Sequence, residues 1–128
     1  MVGPGSSLTY FTGAEWWLSE RFFGVVLFRA GDPVWVTPAF ERDRALEQIR
    51  IGDDVRAWEE DASPWRLVAG ALEDRRVATG SVGIEETIPF AFSDGIAQAA
   101  PAARLSSGTP VTAGCRMVKD AHERALMH

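Results

Sequence analysis

Between residues 22 and 37 the chain reads FFGVVLF, then RAGDP, then VWVT: two apolar, β-branched and aromatic stretches around a Gly31-Asp32-Pro33 break. That pattern predicts a β-hairpin. The first stretch, 22–28, is apolar at nearly every position, so it predicts a central strand covered on both faces, as in a layered α/β domain. Downstream, strand-like and helix-like periods take turns. Thr37 and Pro38 predict an N-cap and first helical residue, followed by Ala45, Leu46 and Ile49 at helical spacing up to Gly52. VRAW (55–58) predicts a short strand, and Ser63 with Pro64 opens a second helix whose Leu67, Val68, Ala71 and Leu72 share one face. SVGIE (81–85) predicts another short strand. Pro89 then starts a helix through Phe92, Ile96 and Ala99, which Gly95 weakens by roughly 1 kcal/mol relative to Ala and Pro101 ends. AARLSS supplies the last strand, and Thr109 with Pro110 leads into a final helical region from about Val111.

Strand and helix units with connections this short predict a mostly parallel mixed sheet, joined by right-handed crossovers and covered by helices on both sides: a three-layer α/β/α domain. The hairpin adds one antiparallel partner. GPGSS, residues 3–7, reads as a loop, and the first seven residues are the only Gly/Ser-rich stretch. No internal repeat is present. A chain of 128 residues is long enough for one domain with its own core. Its end is unusual. In VKDAHERALMH, Val118 to His128, Asp120 and Glu123 have capping-box spacing, and Ala121, Ala125 and Leu126 begin an apolar stripe. A helix is initiated where the sequence stops.

Charge removes some function classes. Lys and Arg total 13 against 18 Asp and Glu, a net charge of -5 with no basic stripe, so nucleic acid is not an expected partner. No apolar run reaches the ~18 residues of a membrane span, and the N-terminus has no basic segment leading into an apolar one; a cytoplasmic protein is expected. The single Cys115 cannot form an internal disulfide and reads as a small, half-buried apolar residue. His122 and His128 fail zinc spacing, because Leu126 stands where HERAL would need its second His. Asp53-Asp54, Glu59-Glu60-Asp61 and Glu85-Glu86 sit at strand ends, where carboxylates usually solvate a surface. Neither a phosphate-binding loop nor a Gly-x-Ser-x-Gly elbow occurs. No catalytic residue, metal ligand or cofactor is therefore expected in this chain. One stretch is over-equipped. YFTGAEWWLSER, Tyr10 to Arg21, places Trp16 and Trp17 beside Ser19, Glu20 and Arg21 at the entrance of the predicted central strand. Either one Trp packs in the core while Glu20 and Arg21 form a weak surface pair, or the loop is an interface or substrate-contact element, for which Trp and Arg are common anchors.

Taken in order, SSLTYFTG, VWVTPAFERDRA, VGIEE and GCRMVKDAHERALM resemble the N-terminal domain of the creatinase, prolidase and aminopeptidase P family, most of all a bacterial Xaa-Pro dipeptidase. The telling pieces are Tyr10-x-Thr12-Gly13, Pro38-x-x-Glu41, Gly83-x-Glu85, and Arg116-x-x-Lys119 followed by Glu123. The resemblance implies a ribonuclease H-like α/β domain over residues 1–118, lacking the family's first helix and part of its first strand, with self-association or a neighbouring chain expected at that gap. Residues 119–128 would begin a linker helix into a C-terminal pita-bread metallopeptidase domain, absent here, whose Asp, Asp, His, Glu and Glu hold two divalent metal ions. By the same resemblance the chain's partners are that catalytic domain, a second subunit in a homodimer and, in the parent protein, a proline-containing peptide. Loop residues Trp16, Trp17, Ser19, Glu20 and Arg21 would serve dimerisation or substrate selection. The alternative is a stand-alone binding or regulatory module on the same fold.

Overall fold

A computed structural model describes residues 1–111; the expected linker helix, Cys115, His122 and His128 lie outside the described residues. The hairpin forms from β1 (Gly24–Val26) and β2 (Val34–Pro38), which pair antiparallel with Val25 opposite Trp35. β3 (Asp54–Trp58) runs parallel to β2 on its other side. β4 (Ser81–Ile84) and β5 (Arg104–Ser107) form a second parallel pair. Residues 1 and 2 stitch the two sheets together. Val2 exchanges both backbone hydrogen bonds with Val25, each 2.9 Å. On the opposite side the Met1 amine donates to the Gly83 carbonyl at 2.7 Å, and the Glu85 N–H donates to the Met1 carbonyl at 3.1 Å. Bonding to residues 83 and 85 around 84 is the parallel ladder pattern. Across the sheet the order is therefore β3, β2, β1, residues 1–2, β4, β5, with β1 alone antiparallel.

Helices cover both faces. α1 (Ser6–Thr12) and α2 (Arg42–Gln48) pack on one, where Val2, Leu8, Trp16, Phe23, Val25, Trp35 and Ala45 form a buried cluster. α3 (Pro64–Asp74) and α4 (Phe90–Ala99) pack on the other, around Met1, Val26, Val36, Val68, Leu72 and Ile96. The strand alternation sets this sorting: Val25 and Val26, or Trp35 and Val36, point to opposite faces. The predicted three layers and central, doubly covered strand are present, although β1 is shorter than the apolar run that marks it.

Several expectations change. GPGSS is not a loop throughout, because α1 starts at Ser6; Met1 to Pro4 and Ser7 are buried. What makes so short a helix possible is its end. The Thr12 hydroxyl donates to the Leu8 carbonyl at 2.7 Å and accepts from the Ala14 N–H at 3.1 Å, while Gly13 adopts the left-handed conformation, φ 77°, that closes the last turn. Thr37 and Pro38 do not start a helix. They complete β2, with Thr37 fully buried, and a 3-10 turn over Ala39–Glu41 delays α2 to Arg42. Pairing with β3 satisfies the backbone of that segment better than an early helix would. Pro89 is the N-cap position of α4 and not its first turn, whereas Pro64 does open α3. Glu85 is not a solvated strand-end acid: it is 3% exposed, its carboxylate accepts from the Thr87 hydroxyl at 2.7 Å, and it attracts the Met1 amine.

Gly95 is explained by close approach. A Cβ there would lie 2.5 Å from the Trp65 indole, which is hemmed in by Phe22 and Phe92 at ring-centroid distances of 4.9 and 5.5 Å. Gly95→Ala gains roughly 1 kcal/mol of helix propensity but overpacks the α3–α4 contact by about 2 to 3 kcal/mol. The expected net effect is a loss of about 1 to 2 kcal/mol in chemical denaturation; a gain in stability would contradict the packing.

Burial lowers the Met1 amine to about 6 from 8.0, an effect that attraction to Glu85 offsets in part. Below the folded value both states carry the proton. Between pH 6 and 8 the unfolded chain binds more protons than the folded one, so stability rises with pH across that window and levels off below and above it. The expected difference between pH 5.5 and 8.5 is about 2 to 3 kcal/mol, measured by urea denaturation of the 128-residue chain. Acetylating the amine should flatten the dependence.

Candidate functional site

Because every strand except β1 points the same way, the carboxyl ends of β2, β3, β4, β5 and the residue 1–2 segment open onto one rim. In open α/β sheets that is the edge where loops bind ligands and partners. β1 runs the other way and starts from this rim, so the loop feeding it, residues 14–23, lies there too.

The loop leaves α1 at the Thr12–Gly13 cap with Ala14 buried. The Glu15 N–H then donates to Oε1 of Gln48 on α2 at 3.2 Å. Trp16 turns inward. It is 7% exposed and stacks on Phe23 with centroids 4.1 Å apart and planes 7° from parallel, and the Arg44 guanidinium lies 4.6 Å from its ring centre. Trp17, the next residue, is 81% exposed, and Leu18 beside it is exposed as well. Ser19 shapes the turn: its hydroxyl accepts from the Arg21 N–H at 3.1 Å and donates to the Arg21 carbonyl at 3.3 Å. The Arg21 side chain forms an ion pair with Glu60 and lies 4.7 Å over the Phe40 ring. Trp58 closes the base of the loop, its indole N–H donating to the Phe22 carbonyl at 3.0 Å. The loop is thereby fastened to α2, the 3-10 turn and the segment after β3.

Of the five candidate residues, the structure brings Ser19 and Arg21 together, puts Trp16 in the core, and leaves Trp17 and Glu20 on the surface. The expected Glu20–Arg21 pair is replaced by Arg21–Glu60, because the Ser19 turn directs the guanidinium toward the segment after β3. Phe40 and Glu60 were missed. They lie 19 and 39 residues from Arg21 in the chain, and no local pattern links them. A cavity of about 460 Å³ sits at the loop, lined by Pro4, Gly5, Thr9 and Glu15 to Leu18.

Among the described residues no group of three or more His, Cys, Asp or Glu side chains is placed to hold a metal ion. The carboxylate held below its usual range lies away from this surface. Asp54 is held below the usual range by its hydrogen bonds from Arg56, which also reaches Asp74 at 2.7 Å; this network is at the start of β3, away from the rim, and braces α3 against the strand. No helix among the described residues is long and apolar enough to cross a membrane.

Comparison with known proteins agrees with this architecture. The protein YkvY of Bacillus subtilis, which carries a dipeptidase name, is 24% identical over 119 residues, covering 92% of this chain and 32% of its own. The crystal structure of the dipeptidase PepE from Mycobacterium ulcerans superposes with a TM-score of 0.79 at 29% identity, over 96% of this chain and 33% of that one. The N-terminal domain of an Xaa-Pro dipeptidase from Lactobacillus brevis gives a TM-score of 0.71 at 23% identity, over 88% of this chain and 82% of that domain. The chain thus spans about a third of the length of YkvY and PepE but most of the isolated domain. The model of the creatinase/prolidase N-terminal domain matches residues 1–118, and the chain belongs to that family.

Proposed function

We propose that the chain is the non-catalytic N-terminal domain of a metal-dependent Xaa-Pro dipeptidase or aminopeptidase, contributing dimerisation and substrate selection. Hydrolysis, and the two divalent metal ions it needs, belong to a C-terminal domain. The observation that carries this reading is one of proportion: a single family model accounts for residues 1–118, while YkvY and PepE are about three times as long. The rim loop supports the division of labour. Trp17 and Leu18 present apolar surface from a loop anchored at Gln48, Phe40 and Glu60, and a braced loop with an exposed aromatic loses little entropy when it docks. On this reading Trp17 contacts a partner subunit or the substrate, Arg21 holds the loop in place, and Trp16 is structural.

The test uses the parent protein. Supplied with a divalent metal and an Xaa-Pro dipeptide, the full-length protein should hydrolyse it, and the 128-residue chain should not. Turnover by the isolated chain would overturn the proposal. Within the parent, Trp17→Ala should raise KM or weaken the dimer about tenfold, in line with an interfacial Trp, with stability unchanged within about 0.5 kcal/mol. Trp16→Ala should instead lower stability by about 3 to 5 kcal/mol. If Trp17→Ala leaves KM and the dimer untouched, the loop has no role in either.

A further inference from the structure

The rim holds a second depression, at the ends of β4 and β5 and beside the first turns of α4. Its volume is about 630 Å³. Ile84, Ile88, Ala97 and Leu105 give it an apolar lining, and Phe90 stands at its edge 80% exposed. An isolated surface Phe is ordinary, but one at the mouth of an apolar cavity enlarges the surface available to a partner. Among the described residues, the charged groups lining the depression all have one sign, Glu85, Glu86 and Asp94, without any Lys or Arg. Each is oriented by a neutral donor: Glu85 by the Thr87 hydroxyl at 2.7 Å, Glu86 by the Thr109 hydroxyl at 3.3 Å, and Asp94 by the Gln98 amide at 3.0 Å. These hydrogen bonds fix the carboxylates without cancelling their charge. The Met1 amine, which attracts Glu85, is buried and bonded to Gly83.

We propose that this depression docks a basic segment of a partner polypeptide, an apolar side chain entering beside Phe90 and Ile88 while a neighbouring Lys or Arg meets Glu86 and Asp94. Charge complementarity selects this occupant. A low-dielectric floor with a rim of one sign focuses the field on an incoming cation. It also disfavours a second copy of a chain whose net charge is -5. The proposal is independent of any peptidase activity in the parent protein.

The test is a titration of the ¹⁵N-labelled chain with two tetrapeptide amides, acetyl-Leu-Lys-Phe-Lys and acetyl-Leu-Glu-Phe-Glu, followed by amide chemical shifts. The lysine peptide should give saturable shifts at residues 84–97 and 105–107, weakening with added salt. The glutamate peptide should give none. Glu86→Gln with Asp94→Asn, both exposed side chains, should weaken binding about three- to tenfold, and Phe90→Ser should weaken it independently. Equal binding of the acidic peptide, shifts confined to another surface, or no saturable shift at millimolar peptide would overturn the proposal. Shifts at the same amides on changing protein concentration without peptide would also overturn it, assigning the depression to a second copy.

Discussion

The structure depends on two residues, Met1 and Val2, being bonded on both sides. Val2 pairs with Val25, and Met1 pairs with Gly83 and Glu85, so a three-stranded and a two-stranded sheet become one surface. A two-stranded parallel pair such as β4–β5 has little stability of its own. It gains a neighbour here, and its neighbour gains a direction. The two residues also serve one face each: the Met1 side chain belongs to the core under α3 and α4, the Val2 side chain to the core under α1 and α2. The core beneath α3 and α4 can thus run without a break from Val36 of one sheet to Val82 of the other.

Direction is what gathers the loops onto one surface. Since the residue 1–2 segment is antiparallel to β1 and parallel to β4, every crossover strand ends on the same rim. The loop of Trp17 and Arg21 and the acidic depression beside Phe90 are then neighbours of that segment, although they are some seventy residues apart in the chain. Reversing β4 would move one of them to the opposite edge. The common rim is therefore a consequence of the backbone ladder and not of any attraction between the two sites.

Much of the architecture was legible because the punctuation was local. Gly31-Asp32-Pro33 broke the hairpin where the turn occurs, Pro64 opened α3, and the continuous apolar run at 22–28 marked a strand buried on both faces. What local pattern could not show was long-range satisfaction. Thr37-Pro38 has the signature of a helix start, but hydrogen bonding to β3 holds it in β2. Glu85 has the look of a solvated acid, yet it is buried, its carboxylate accepting a hydrogen bond from the Thr87 hydroxyl. Gly95 reads as a flaw in a helix until the Trp65 indole is seen to occupy the space of a side chain.

The same distinction separates the family motif from the site. Thr12 and Gly13 close α1, Gly83 accepts from the Met1 amine, and Glu85 is enclosed beside it. In this chain these residues, which carry its resemblance to the family, build the sheet and a helix cap, so their visible role is in the fold. The tryptophan pair makes the point most sharply. Trp16 and Trp17 are identical in chemistry and adjacent in sequence. Stacking on Phe23 under Arg44 takes one into the core, and the geometry then leaves the other facing solvent. Residue type nominated the loop as a site, but only the packing of its neighbour could decide which of the two indoles is available to bind.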